Sequence, residues 1–543
     1  MKKNLKKVLS LMLVLAFVFS LAACAGESAD SSSTAPASTD STESTAADSS
    51  AEESTLENTD VDTSEQVNIN MLVLGNKPTN GRMEAAVAAE NELLLEKVNA
   101  TVSLEYIEWT DWQTQYNLRL MSNDTSIDLI ITATDWLYAW PNSKKGAFLA
   151  LTEDMLQTYA PQTWAEIPAE DWDLCKLGDT IYFIPEDQYT QWTNHGMFYR
   201  GDWATEAGLT DGVQKFDDLT TYFTYIKENK EGVIPWDVPG KNNMAGIISG
   251  YIASNSDYTT IIGTDTGNFN LFAYQGDDYK TVVSPYLDDD VLYDAADLMK
   301  EWNTIGVWRD DVLNYEGETR ELMYAGQSGA DQHHVQTYIG LQPNMEKKQE
   351  GSDAQMYWWG YENGNYCADL KTHGAMAVNA SSENPERALM VYDLIRNDEE
   401  IYKLHNFGIE GTDYVMTDDG KLDRPAGWDQ STDALDTNFW GGRVDKYEPA
   451  RVTDYADKDA LFAELAAGAK EYQLSAFAFD PEQCPTEIAA VADVCSNYFP
   501  LLAYGKKDDP KATVDEFREQ LKMAGIESLM ANIQQQMDEA LAQ

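Results

Sequence analysis

Residues 67–132 alternate strand and helix patterns, and that alternation leaves few folds open to the chain. Val67–Leu74 reads VNINMLVL, a strand, and Gly75-Asn76-Lys77-Pro78 turns it. Met83–Val98 places apolar residues at helical spacing, and Thr101–Ile107 alternates with period two. Trp112–Met121 is helical and Ile127–Thr132 is an apolar strand. A βαβαβ order points to an open α/β sheet, because a crossover helix joins strands that run the same way. Ligands of such sheets sit beyond the carboxyl ends of the strands. Those ends are Asn76-Lys77, Glu108–Trp112 and Ala133–Trp136.

At 543 residues the chain is too long for one ordinary core, so two or three lobes are expected. Thr180–Pro185 and Gly196–Arg200 read as hairpin or hinge strands. Phe216–Asn229 and Leu287–Ile305 read as helices, and Met356–Tyr366 as aromatic and irregular. Asn384 is placed to cap a helix that has Pro385 in its first turn and runs to about Arg396. Asp398 starts a second helix, ending near Phe407-Gly408. Thr513–Leu541 has the apolar spacing of a helical pair broken near Gly525.

The N-terminus sets the address. MKKNLKK precedes an uncharged stretch from Val8 to Leu21, then Leu21-Ala22-Ala23-Cys24. A basic region, a short apolar run and small residues read as a secretory signal. Fourteen residues fall short of the roughly 20 that a spanning helix needs. Residues 25–66 hold 18 Ser or Thr, 11 Asp or Glu, and no Lys or Arg. Such a stretch cannot bury enough apolar surface to offset its ordering entropy, so it reads as a disordered tether of about 35 Å r.m.s. span. The chain's formal charge is −54, and the 67–543 body carries about −47. That balance excludes nucleic acid, and it excludes docking of the folded surface on anionic lipid.

Several chemistries lack their residues. No HExxH occurs, and His333 and His334 are adjacent, so on a regular element they are expected to point apart; no metal site is expected. No GxSxG, GxxxxGK[ST] or GxGxxG stands between a strand and a helix. Asp288–Asp290 and Asp418-Asp419-Gly420 lack the ligand spacing of a calcium loop. Cys175, Cys367, Cys484 and Cys495 form no CxxC, and a helix from Thr486 would hold Cys484 and Cys495 about 16 Å apart, too far for a bridge. They are expected to be reduced or buried.

Leu-Ala-Ala-Cys ending at Cys24 resembles the bacterial lipobox, which implies cleavage after Ala23 and a lipidated Cys24. With the tether and the βαβαβ start, the chain resembles the substrate-binding lipoproteins of bacterial ABC importers. Within them it is similar to the extracellular solute-binding family 1, the sugar-binding group. The likeness is carried by Asp128–Thr134 with Gly146–Leu149 and Tyr159-Ala160-Pro161, by Gly178–Pro185 (GDTIYFIP), and by Tyr199–Asp202 with Glu206–Leu209. Asn384–Val415 and Ala476–Leu541 are more specific. The last resembles the C-terminal domain of unknown function on large sugar-binding lipoproteins of Firmicutes, some assigned to aldouronate or oligosaccharide import. Some relatives carry a calcium loop where this chain has Glu228–Trp236 (ENKEGVIPW), so no metal is carried over.

The resemblance implies an α/β, two-lobed periplasmic-binding-protein-like fold of type II, with a hinge between the lobes and ligand in the interlobe cleft. Laid on this chain, residues 1–23 are signal peptide and 24–66 tether. Lobe one is 67–190 plus 371–445, and lobe two is 196–368 plus 450–543. Sugars offer hydroxyls and apolar C–H faces, so aromatic platforms and planar polar groups should bind them. Candidates are Asn76 and Lys77 after strand one, Trp109 and Asp111 after strand two, and Asp135 and Trp136 after strand three. Glu186, Trp192 and Asn194 lie near the first crossing, with Trp358, Trp359 and Trp440 further on. Phe477 and Phe479 fall where maltodextrin-type relatives place stacking aromatics. Trp302 and Trp308, on or just after a helix, are expected in the core. The expected activity is capture of a carbohydrate, an oligosaccharide, by hinge closure and delivery to the ABC permease, with no catalysis or cofactor. The protein would be a monomer held by its lipid alone on the outer face of the cytoplasmic membrane. Alternatives are a peptide-binding importer component or a surface-anchored carbohydrate-active enzyme. Among cations, Lys77, Arg82 and Arg200 are the few placed to meet an acidic sugar.

Overall fold

The computed structural model describes residues 62–542, apart from 110–111, 123, 188–194, 241–245, 265–268 and 318. Cys24, the signal and nearly all of the tether, and the candidates Asp111, Trp192 and Asn194, lie outside the described residues.

Strand β1 (Val67–Leu74) leads through α1 (Arg82–Val98) to β2 (Ala100–Ile107). The chain then passes through α2 (Trp112–Leu120) to β3 (Leu129–Thr132). β1 pairs in parallel with both β2 and β3, as the alternation requires. The sheet order places β1 between β2 and β3, followed by Ala375–Val378 and Ile184–Pro185. The strand order therefore reverses between β1 and β3, which opens a crevice at their carboxyl ends. Ala375–Val378 runs antiparallel to β3, with Ala375 opposite Thr132. β3 is buried along its whole length, which explains its unbroken apolar sequence LIIT.

A second sheet has His195–Arg200 in its centre, antiparallel to both Ala330–His334 and Ala354–Trp358. Of Met356–Tyr366, expected to be irregular, Met356–Trp358 complete this edge strand, because pairing with the central strand outweighs their mixed sequence. Helices Asp218–Asn229, Gly246–Asn255 and Val291–Ile305 accompany this sheet, and Pro485–Ala503, Pro510–Ala524 and Ile526–Leu541 complete the layer. The break at Gly525 has φ +95°, a conformation that glycine adopts without penalty.

Two large hydrophobic cores result. One gathers side chains between 69 and 184, then 375–401 and Phe439. The other gathers side chains between 197 and 359, then 474–537, and includes Trp302 and Trp308. The chain passes from the first core to the second after Pro185, returns before Ala375, and leaves again after Trp440. All four described cysteines are free; Cys175, Cys484 and Cys495 are buried.

Helix Pro385–Asn397 crosses the first core. Asn384 precedes it but its side chain makes no capping hydrogen bond, because Pro385 already removes one orphan N–H. Asp398, by contrast, caps the next helix by accepting from the Glu400 and Ile401 amides. Inside the first helix, buried Asp393 accepts hydrogen bonds from Thr163 N (2.7 Å), Thr163 Oγ1 (2.7 Å) and Asn397 Nδ2 (3.1 Å). Replacing Asp393 with Ala strands these donors in the core. The expected loss is about 3 kcal/mol, read as a lower urea midpoint, with Asp393→Asn falling between that variant and the parent.

Candidate ligand-binding site

The carboxyl ends of β2 and β3 present indole rings to one another. Trp109 follows β2, Trp112 opens α2, Trp136 follows β3, and Trp440 arrives from the third crossing. Ring centroids lie 6.4 Å apart for Trp109 and Trp136, 5.6 Å for Trp109 and Trp440, and 5.5 Å for Trp136 and Trp440. Trp112 meets Trp136 edge-on at 5.5 Å. Trp109 is 38% exposed, which is unusual for so large an apolar side chain. Trp136 is fixed by its indole N–H, which donates to the His373 carbonyl at 3.0 Å.

Trp136 also lines a narrow cleft with a free volume of about 30 Å³. Thr134, Asp135, Tyr138 and Trp140 line it from the first core's side. Gly263, Tyr472, Ser475 and Phe477 line it from the other. The Tyr472 hydroxyl accepts from the Ile262 amide at 2.9 Å, which fixes that wall. Lys144 and Lys145, just before Gly146, reach across to the 478–482 segment. Lys144 Nζ donates to the Ala478 carbonyl at 3.2 Å, and Lys145 Nζ lies 3.4 Å from Glu482.

Asp135 points at an imidazole that sequence order hides. His373 Nδ1 is 2.7 Å from Asp135 Oδ2 and 3.4 Å from Asp369 Oδ2. The antiparallel strand Ala375–Val378 brings it there: Ala375 opposite Thr132 sets Thr372 beside Thr134, whose hydroxyls lie 2.6 Å apart. Burial works against a charge on His373, but Asp135 and Asp369 hold its pKa up to about 9. Among the described residues, these three form a group of metal-ligand types whose atoms lie within 4.8 Å of one another.

On the second sheet, His333 and His334 do not point apart. Their ring centroids lie 4.2 Å from each other and 5.7 and 5.8 Å from His195. The strand ends at His334, which turns to cap the helix Val335–Lys348 by accepting from the Thr337 amide, so strand alternation no longer applies. Burial first, then His195 and Arg320, lowers the His333 pKa to about 3.

The other candidates fall in different surroundings. Asn76 and Lys77 are exposed beyond β1, with Lys77 3.9 Å from Glu84. The turn before them needs Gly75: its φ is +152°, and a Cβ there would lie 2.3 Å from Asn438 Nδ2. Trp359 is not on a ligand-facing surface: it is 7% exposed and packs in the second core 5.5 Å from Phe216, with Gly250 leaving room for it. Trp358 is buried against Tyr361 and Tyr366. Phe477 and Phe479 line the cleft while belonging to the second core.

Glu186 is 3% exposed and occupied. Arg443 Nε and Nη2 lie 2.7 and 2.6 Å from its Oε1. Its amide donates to the Gly374 and Lys371 carbonyls at 2.8 and 3.1 Å. Arg396 donates to the Pro185 and Glu186 carbonyls. Gly374 is obligatory here, since a Cβ would meet the Trp440 carbonyl oxygen at 2.3 Å. Glu186 therefore ties the chain crossings together and leaves no free carboxylate for a ligand. Burial raises its pKa, against the pull of Arg443 and His373.

Comparison with known proteins gives three findings. Residues 473–542 match a family described as a domain of unknown function, DUF3502. A "carbohydrate ABC transporter substrate-binding protein" of Streptococcus pneumoniae serotype 4 is 22% identical over 507 residues, 88% of this chain and 92% of that protein. Among solved structures, the N-glycan transport solute binding protein NgtS of Streptococcus pneumoniae superposes with a TM-score of 0.70 at 17% identity, covering 88% of this chain and 99% of NgtS. The alginate-binding protein AlgQ2 gives 0.63 at 17%, covering 87% and 98%. The fold is that of a two-lobed solute-binding protein. The resemblance drawn from the 476–541 block holds as well, since the DUF3502 match spans it.

Sequence reasoning missed Trp112, His373 and Asp369. Trp112, the first residue of α2, closes the strand-end stretch Glu108–Trp112 and was within reach. His373 and Asp369 precede a strand whose antiparallel insertion no local pattern announces.

The Asp135–His373 pair carries a pH signature. A folded pKa near 9 exceeds the ordinary 6.5, so its contribution to stability is complete below about pH 6.5 and is lost as pH rises through 9. The difference in melting temperature between the protein and His373→Gln should therefore narrow between pH 6.5 and 9.5.

Proposed function

We propose that this chain is the substrate-binding component of an ABC importer, capturing a carbohydrate, an oligosaccharide, between two lobes. The observation that carries the reading is the tryptophan patch at the strand ends, adjoining the cleft, in a fold shared with proteins whose names record carbohydrate transport. Indole faces pack on sugar C–H faces, and Asp135 is positioned to accept from hydroxyls. The division into lobe one, 67–190 plus 371–445, and lobe two, 196–368 plus 450–543, is supported by the two separate cores.

Ligand contacts to both lobes exist together only when the cleft is closed, so ligand shifts the population toward closure. The closed form is then what the membrane permease distinguishes. The protein acts as a monomer, and the cleft serves capture, not catalysis.

Calorimetry against a glycan panel, with small-angle scattering on a bound sugar, tests this reading. A sugar that binds should reduce the radius of gyration. Trp109→Ala should weaken binding by roughly 1–3 kcal/mol with little change in melting temperature, because the ring is partly exposed. Trp302→Ala, in the second core, should instead cost about 3–5 kcal/mol of stability. Normal affinity in Trp109→Ala would remove the patch from the site.

The address is part of the same proposal. The lipobox supports cleavage after Ala23 and acylation of Cys24, with residues 25–66 lifting the body from the outer face of the cytoplasmic membrane. Cys24→Ala should abolish incorporation of labelled fatty acid and leave the protein released or unprocessed. Labelling that survives the substitution would sink the anchor.

A further inference from the structure

We infer that the cleft takes a neutral saccharide and discriminates against sugars bearing a carboxylate. This rests on the carbohydrate reading above and narrows it. A uronic or sialic acid brings a charge that must be desolvated on entry. Such a charge is tolerated only beside a cation that is free to pair with it.

Among the described residues, the cations around this cleft already have hydrogen-bond or ion-pair partners. Arg443 is bound to Glu186 at 2.6 Å. Lys371 Nζ donates to the Asp187 carbonyl at 3.0 Å and lies 3.4 Å from its carboxylate, with Asp171 at 3.8 Å. Lys144 donates to a backbone carbonyl across the cleft and Lys145 faces Glu482. His373, paired to the lining residue Asp135, stands between two carboxylates, Asp135 and Asp369, so this group has no positive charge to spare.

The cations that the sequence placed near an acidic ligand are no more available. Arg82 lies 3.0 Å from Asp413 and 3.3 Å from Asp433, and Arg200 lies 2.6 Å from Asp202. Lys77 faces Glu84. The wall opposite Asp135 offers Tyr472, Ser475 and Phe477, none of them charged. With a body at about −47, distant electrostatics point the same way as the local ones.

The test is calorimetry on the full mature body with matched glycans. Neutral gluco-, manno- and galacto-oligosaccharides of three to six units are compared with the same chains capped by glucuronic or sialic acid. The expected result is that the best neutral glycan binds and that its acid-capped form binds at least tenfold more weakly at low salt. Equal or tighter binding of the acid-capped form overturns the inference and leaves the carbohydrate reading standing. If no glycan in either set binds while a peptide panel does, the carbohydrate reading itself fails and the inference falls with it. Ser475→Arg adds an unpaired guanidinium to the lining and should narrow the discrimination at least threefold. Unchanged discrimination in a folded Ser475→Arg protein, checked by its melting curve, counts against a charge-based origin and overturns the inference.

Discussion

The buried pairing of Glu186 with Arg443 is the constraint on which the rest of the molecule hangs. Both residues sit where the chain moves between its two cores. The Glu186 amide holds the Gly374 carbonyl, and its carboxylate holds a guanidinium that follows Trp440 by three residues. Three stretches, distant in sequence, are therefore fixed against one another at one point. Burying an ion pair is costly unless its geometry is good and its remaining atoms are satisfied. Here Arg396 adds hydrogen bonds to the adjacent carbonyls, which draws the first crossing onto helix Pro385–Asn397. The indole of Trp440 reaches the tryptophan patch because the backbone behind it is clamped.

In the proposed capture of a sugar, the patch and the Asp135–His373–Asp369 group take different parts. Rings supply apolar area with few torsions to freeze, so their burial against a ligand carries little entropic cost. A carboxylate fixed by an imidazole keeps one face toward its partner and its orientation in the absence of ligand, which is preorganisation. The second sheet contributes neutral imidazoles close by. In the proposed site, apolar surface therefore adjoins a hydrogen-bonding group with two carboxylates around one imidazole, which has no surplus positive charge.

Much of the first lobe was legible in the sequence, because its signals are local. Strand alternation, helical spacing and strand-end loops placed β1 to β3 and pointed to Trp109, Asp135 and Trp136. What could not be read depends on insertion and termination. Ala375–Val378 enters the sheet antiparallel from more than 200 residues away, and only its register puts His373 beside Asp135. His333 and His334 escaped for the opposite reason: the strand stops at the second of them, so alternation gives the wrong answer by one residue. Glu186 looked available for a ligand because a carboxylate near a crossing is chemically suited to one. The sequence holds no sign that Arg443, over 250 residues later, has taken it. Trp359 shows the same ambiguity, since an indole suits a core as well as a cleft.

The interleaving of the two cores also governs how the chain can be made. Met197 and Met537 share one core, and Ile69 shares the other with Phe439. Neither core can close on the N-terminal portion alone, so folding must wait for pairings of very long sequence separation, which form slowly. The last three helices are not an appendage added to a finished body. They are interior walls of the second core, and their apolar partners on Val291–Ile305 stay uncovered until they arrive. A chain built this way acquires its final shape only when nearly all of it is available to pair.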